Sequence, residues 1–438
     1  MLTFLAYAMV ATFITLIMTK RVSALVGLVL VPLAFALMAG FTTELGPMML
    51  EGVRDIAPTG IMLLFAILYF GLMIDAGLFD PLVTRIVKLV GNDPFKIVFG
   101  TAVLAMLISL DGDGSTTYMI TAAAMFPLYR HLRLDTRKMA CVTVMAGMAA
   151  NLLPWGGPTA RAAAVLNMQA ADLYLSVLPA QIMCFAWVLG VAAILGLRER
   201  QRVANLPEPV ADEQLSPKVL VAEDNARDPD ALRPKLFVVN LALTVALLAA
   251  LIANTLPLPV LFIVAYATAL LINYPSLAEQ RRRLAAHAGN ALAVSGLVFA
   301  AGTFTGILSG TGMVDAMTAS IVQVIPPELG RYMAPITAVL SIPFTFLVSN
   351  DAFYFGMLPI LANTAESYGI SKEVIGRASL VGQQFHLLSP LVPSTYLLVG
   401  LARIEFGELL RFASPWALGT CVVMFLSCLV FGIFPWAA

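Results

Sequence analysis

Two carboxylates, Asp111 and Asp113, lie inside a long apolar stretch of the chain. They belong to a short polar segment, residues 109–117, that separates the apolar runs 97–108 and 118–128. Neither run can cross a bilayer alone, because a membrane-spanning helix needs about 20 apolar residues. A carboxylate at the bilayer centre costs about 3 kcal/mol or more unless something compensates for it. We therefore expect the aspartates to meet a transported cation, a proton or a ligand; a buried acid kept neutral by hydrogen bonds is the alternative.

A second polar segment with a carboxylate interrupts the apolar stretch 331–366, as the first segment interrupts 94–130. We interpret both stretches as re-entrant hairpins with polar tips. The N-termini of half-helices present free N–H groups to an anion, and unwound carbonyls and carboxylates bind hard cations. The tip residues that we expect to bind substrate are Ser115, Thr116, Ser349 and Asn350, with Asp111, Asp113 and Asp351 as ligands for a metal ion or a proton.

Two further apolar segments, 138–167 and 374–402, contain clusters of proline and glycine that no continuous helix can accommodate. We expect these broken helices to form the other wall of the site. Arg161 has a planar fork that suits a substrate carboxylate, although a structural pair with an aspartate is the alternative. His386 fits a proton relay as well as a hydrogen-bonded structural role. The expected substrate-binding residues of the broken helices are Asn151, Gly157, Thr159, Arg161, His386, Ser394 and Thr395.

The composition is that of a polytopic membrane protein. Hydrophobic residues make up 60% of the 438 residues, charged residues only 12%, and the formal net charge is zero. This gives no electrostatic case for a nucleic-acid partner and indicates contact with membrane lipid. Placing both termini outside puts most lysines and arginines on the inside, as the positive-inside rule requires. We predict an integral protein of the bacterial cytoplasmic (inner) membrane with ten spans and two hairpins.

The chain repeats itself with one constant offset. Gly71, Gly77 and Asp80 correspond to Gly306, Gly312 and Asp315, and residues of the two broken helices match at the same offset. Each half has five spans, an odd number, so the second half must be inverted relative to the first. Inverted repeats with discontinuous helices are typical of secondary transporters that bind substrate near the membrane midplane. The predicted divisions are a first repeat at 1–197, a flexible cytoplasmic linker at 198–234 and an inverted second repeat at 235–438.

Three segments resemble the citrate–metal:proton symporter family (CitMHS) of the ion transporter superfamily: 109–120, 154–163 and 16–21. The resemblance covers essentially the whole chain. It implies symport of protons with citrate complexed to a divalent cation such as Mg²⁺ or Ca²⁺. It also implies a homodimer with a fixed scaffold and a mobile transport domain that works as an elevator. No cofactor is expected beyond the metal that arrives with the substrate.

Departures from related sequences leave alternatives open. The sodium-coupled dicarboxylate branch of the superfamily carries Ser-Asn-Thr at both tips, whereas this chain has additional acids at both. The acids argue against sodium coupling of that type and fit a substrate that brings its own metal. A proton- or sodium-coupled transporter of a metal-free di- or tricarboxylate is the main alternative. An intramembrane aspartyl protease and a channel with acidic rings are remote ones, because neither explains the repeat.

Overall fold

The computed structural model describes residues 1–19, 21–112, 114–205, 229–253 and 256–437. These residues form twenty α-helices and no strand, which confirms the predicted all-α class. The helices are α1 Leu2–Met18, α2 Ala24–Met38, α3 Leu45–Asp75, α4 Asp80–Val90, α5 Pro94–Ile108, α6 Gly114–His131, α7 Thr136–Ala150, α8 Gly157–Val165, α9 Ala170–Ala204, α10 Phe237–Ile252, α11 Leu258–Asn273, α12 Leu277–Gly310, α13 Met313–Val322, α14 Pro327–Gly330, α15 Met333–Leu347, α16 Leu358–Glu366, α17 Lys372–Ser379, α18 Gln383–His386, α19 Pro393–Ala402 and α20 Phe406–Val430.

Six helical stretches of the described residues are long and apolar enough to cross a membrane. The other apolar helices have 10–17 residues, and several of them belong to pairs separated by a break. The six are Leu45–Asp75, Pro94–Asp111, Ala170–Ala204, Pro234–Leu251, Leu277–Gly310 and Phe406–Val430.

Short-range signals set several helix ends. Asp93 caps α5 by accepting a hydrogen bond of 3.0 Å from the Phe95 N–H, and Asp135 caps α7 in the same way from Arg137. Helix α9 continues to Ala204, inside the segment that the sequence predicts to be a linker. The rest of that segment from 206 to 228 lies outside the described residues. The division into two inverted repeats stays a prediction.

The two longest helices after α9, α3 and α12, pack through glycines. A Cβ on Gly52 would lie 2.1 Å from the Gly302 carbonyl oxygen, and one on Gly306 would lie 2.2 Å from the Met48 carbonyl oxygen. Only hydrogen fits at these two positions, so the helix backbones touch directly. Close backbone approach through small residues is how membrane helices gain packing energy without a hydrophobic driving force.

Several other helices pack around this pair or around the broken helices. Helices α2 and α11 lie against α12 and α3, respectively. Helix α5 packs on α7 and α9, α6 packs on α19, and α15 packs on α17 and α18. The helix breaks therefore lie in two parts of the chain, within α5–α8 and within α15–α19.

Candidate functional site at the helix breaks

The break between α5 and α6 is a tight turn. A 3₁₀ turn, Ser109–Asp111, follows α5 and leads into Gly112, which has a φ of +80°. Left-handed backbone of this kind favours glycine. The Asp111 side chain is buried, whereas Asp113 lies outside the described residues. Ser115 and Thr116 lie on the first turn of α6.

Trp155 fixes this turn from the side. Its indole N–H donates a hydrogen bond of 3.0 Å to the Leu110 carbonyl oxygen. The ring also packs against Phe70 of α3 and Phe262 of α11, with centroids 5.4 and 5.1 Å apart. One side chain thus connects the α5–α6 break, the α7–α8 break and the helices packed around α3.

The break between α7 and α8 is closed by its own side chains. The Thr159 hydroxyl donates to the Leu152 carbonyl oxygen at 2.7 Å. A Cβ on Gly156 would lie 2.2 Å from the Asn151 carbonyl oxygen, so the chain can turn back here only with glycine. This use of Thr159 ties its hydroxyl to the backbone of the break.

The break between α18 and α19 is closed in a similar way. The Thr395 hydroxyl donates to the Leu387 carbonyl oxygen, and the Ser389 hydroxyl donates to the Phe346 carbonyl oxygen at 2.6 Å. Nδ1 of His386 lies 2.6 Å from the Thr345 carbonyl oxygen. Because a carbonyl can only accept, Nδ1 carries a hydrogen in this contact. His386 is therefore held by α15.

The segment after α15 carries the second cluster of predicted site residues. The Ser349 hydroxyl accepts a hydrogen bond of 3.1 Å from the Ala352 N–H. The side-chain amides of Asn350 and Gln383 bond to each other, at 3.0 and 3.3 Å. A π-helical turn, Ala352–Met357, follows. The reciprocal amide pair ties this segment to the start of α18.

Arg161 and Asp351 form an ion pair between these two regions. Nε of Arg161 donates to Oδ1 of Asp351 at 2.7 Å, and each side chain keeps about a fifth of its surface exposed, 20% and 18%. A Cβ on Gly157 would lie 2.6 Å from Nη1 of Arg161. The guanidinium therefore reaches back along α8 to its first residue, where glycine makes room for it.

A small cavity lies where the breaks meet. The residues that line it come from the α5–α6 turn, from the end of α7 and from both sides of the α18–α19 break. Two predicted residues, Asn151 and Ser394, are in its lining. The full lining is Ser109, Gly112, Gly114, Thr117, Gly147, Asn151, Leu387 and Ser394.

Eight of the predicted residues fall into three sets. Asn151 and Ser394 line the cavity, while Gly157, Arg161 and Asp351 form the ion-pair region. The side chains of Thr159, Thr395 and His386 bond to backbone carbonyls of the breaks and of α15. The roles of all of these residues in binding stay predictions.

Sequence reasoning missed other residues of the cavity and its support. Leu387 and Gly147 face each other, and Gly114 faces Ser394, but only tertiary packing brings them together. Ser109 and Thr117, whose hydroxyls lie 3.2 Å apart, were detectable as the two ends of the polar segment 109–117. Gln383 precedes His386 in a polar run that could have indicated it.

Comparison with known proteins identifies the family. The family model described as citrate transporter (CitMHS) matches residues 7–382. A Bacillus subtilis (strain 168) protein named citrate transporter is 54% identical over 99% of both chains. A second protein of that organism, named Mg(2+)/citrate complex secondary transporter, is 47% identical, again over 99% of both chains.

Two solved transporters share the fold at low sequence identity. The YdaH transporter of Alcanivorax borkumensis aligns with a TM-score of 0.52 and 16% identity, covering 90% of this chain and 89% of that one. MtrF of Neisseria gonorrhoeae aligns with a TM-score of 0.56 and 15% identity, covering 88% and 83%. The chain is an integral membrane protein and a transporter, not an enzyme, and it belongs to the citrate transporter family.

Proposed function

We propose that this protein is a secondary active transporter that carries citrate, complexed with a divalent metal ion, in symport with protons. The observation that carries the proposal is the cavity at which the breaks of the first hairpin and of both broken helices converge. Discontinuous helices at such a point offer free backbone groups and polar side chains inside the membrane. The names of two relatives, at 54% and 47% identity, support citrate and its Mg²⁺ complex as substrate.

The chemistry of the cavity suits a complex of low net charge. Its described lining presents hydroxyls of Ser109, Thr117 and Ser394 and the amide of Asn151, and none of these groups is charged. A divalent cation cancels most of the charge of fully ionised citrate, so the complex loses less hydration on entry than the free anion. Asp111 and Asp113, which flank the lining residue Gly112 in the sequence, offer the oxygen ligands that Mg²⁺ and Ca²⁺ prefer.

The Arg161–Asp351 pair offers a route to proton coupling. While Asp351 is ionised, it holds the Arg161 guanidinium at 2.7 Å. Proton uptake by Asp351 removes that charge, and the guanidinium then becomes available to a substrate carboxylate. A carboxylate binds arginine in a charge-assisted, often bidentate contact. In this scheme the proton and the substrate bind together, as symport requires.

We further propose a homodimer in the bacterial cytoplasmic membrane with both termini outside. The distribution of lysine and arginine along the sequence supports this orientation. The glycine-packed pair α3 and α12 supports a fixed scaffold, because its backbones touch. The helices that bear the breaks would then move as the transport domain of an elevator.

Uptake by proteoliposomes tests the proposal directly. Radiolabelled citrate is offered with Mg²⁺, with Ca²⁺ or with a chelator, and with or without an inward proton gradient. We expect uptake that needs both the metal and the gradient. Uptake that ignores both would refute the proposal. Uptake without metal that stops when choline replaces sodium would instead establish the metal-free, sodium-coupled alternative.

A further inference from the structure

The cavity at the helix breaks is lined by both polar and apolar residues. Ser109, Thr117, Asn151 and Ser394 carry hydroxyl or amide groups, whereas Gly147 and Leu387 carry no polar side chain. We infer that Gly147 determines the size of the substrate that this site accepts, because any larger residue at this position would take up space in the cavity. The inference rests on the proposed function, which places the substrate in this cavity.

Local backbone geometry does not require glycine at position 147. Gly112, by contrast, has a φ of +80°, which disfavours any other residue. Gly147 lies inside α7, in helical conformation, three residues before the helix ends at Ala150. Glycine is among the least favourable residues in a helix interior, because it loses the most backbone entropy. The presence of glycine at position 147, where it weakens the helix, must therefore be explained by its surroundings.

Packing does not require glycine there either. A Cβ on Gly147 would lie 3.4 Å from Cδ1 of Leu387 and 3.5 Å from Oη of Tyr118. These are ordinary van der Waals distances, unlike the 2.1 Å overlap that a Cβ on Gly52 would make. Alanine therefore fits against the protein, but its methyl group would occupy cavity space close to that of one water molecule, about 30 Å³. The missing side chain leaves this space to the ligand.

The lining also limits the substrate. The carboxylates and hydroxyl of a polycarboxylate find hydrogen-bond partners in Ser109, Thr117, Asn151 and Ser394. Gly147 lies one helical turn before Asn151, on the same face of α7. A side chain at position 147 would therefore stand beside a group that binds the substrate and would reduce the room for the carbon skeleton. A tricarboxylate with a branched skeleton is more sensitive to the loss of that room than a small dicarboxylate.

Substrate affinity of Gly147→Ala tests the inference. Dissociation constants for Mg²⁺–citrate and Mg²⁺–malate are measured by calorimetry on the full-length protein in detergent. One added methyl in a pocket typically changes affinity by about 10- to 200-fold. We expect citrate affinity to fall at least tenfold, and the ratio of citrate to malate affinity to fall with it. The matched control is Gly400→Ala, where a Cβ meets nothing within 4 Å and binding should not change.

A second substitution separates steric exclusion from misfolding. Leu387→Val in the Gly147→Ala background removes the methyl group that faces the new Cβ, so citrate affinity should recover at least partly. Unchanged citrate affinity in Gly147→Ala, equal losses for citrate and malate, no recovery in the double variant, or failure of Gly147→Ala to fold would each overturn the inference. If the wild-type protein itself does not bind citrate with or without metal, the proposed function fails instead.

Discussion

Arg161 and Asp351 are 190 residues apart in the chain, yet their side chains meet at 2.7 Å. Arg161 lies on α8, after the break that follows α7, and Asp351 directly precedes the π-helical turn Ala352–Met357. Both side chains remain about one-fifth exposed, so a ligand or water can reach them. The pair is therefore both a contact between the two halves of the chain and a candidate part of the site.

Altering either member of this pair should impair transport more than stability. Asp351→Asn leaves the guanidinium without its carboxylate, and Arg161→Lys loses the planar fork. We expect each to lower the initial rate of citrate uptake by about tenfold or more. Because the pair is partly exposed, the loss in unfolding free energy should stay near 1–2 kcal/mol, below that for a fully buried pair.

The double variant shows whether the two residues act together. If they form one unit, Arg161→Lys with Asp351→Asn should be no slower than the slower single variant. Uptake rates and thermal midpoints are measured on the same preparations. Rate losses that simply multiply would argue against a shared role.

Two neighbouring glycines should respond differently to alanine. Gly156→Ala places a Cβ 2.2 Å from the Asn151 carbonyl oxygen and must distort the break. Gly157→Ala meets only the end of the flexible Arg161 side chain, at 2.6 Å. We expect Gly156→Ala to lower the thermal midpoint and the yield of folded protein. Gly157→Ala should fold but displace the guanidinium and reduce citrate uptake. Normal uptake by Gly157→Ala would show that the position of Arg161 is unimportant.

Adding one methyl group at the close contact between α3 and α12 should lower the stability of the protein. Gly306→Ala would place a Cβ 2.2 Å from the Met48 carbonyl oxygen, a backbone atom that cannot move aside alone. Overpacking of this kind costs about 1–3 kcal/mol. Gly289→Ala, in the same helix, is the control because a Cβ there meets nothing within 4 Å. Thermal unfolding in detergent should give a lower midpoint for Gly306→Ala alone; equal midpoints would mean that the helices separate at little cost.

Acid should weaken the start of α7. Burial raises the pKa of the Asp135 carboxyl, but hydrogen bonds from Arg137 and its charge outweigh this, so the pKa lies below its usual value. A lowered pKa in the folded state contributes stability above pH about 4, which is lost as the pH falls further. Thermal midpoints between pH 3 and 7 should therefore fall less steeply for Asp135→Asn than for the wild-type protein. Parallel profiles would assign the acid sensitivity to other groups.

Local signals explain much of what the sequence could predict. Proline and glycine act on the backbone where they stand, so the clusters around Gly156 and Pro393 mark helix ends without knowledge of the fold. A polar segment in an apolar stretch similarly marks the turn that contains Gly112. Contacts between distant segments carry no such signal. The sequence left open whether Arg161 meets an aspartate or a substrate, and nothing in it indicated that Gly147 would face Leu387.

His386 illustrates the same limit. The sequence is consistent with a proton relay and with a structural role. In the structure its Nδ1 bonds to the Thr345 carbonyl oxygen, and its side chain is almost fully buried. This contact depends on the packing of α15 against α18, which local residue patterns do not specify.

Trp155 is placed so that its intrinsic fluorescence can report movement of the α7–α8 break. Indole emission depends on the surroundings of the ring, and this ring lies on Phe70 and Phe262 while its N–H bonds to Leu110. If the α7–α8 break slides along α3 and α11, the indole loses its contacts with Phe70 and Phe262, and its emission should change. With only three other tryptophans to replace, at 187, 416 and 436, the motion can be followed without a label and in real time.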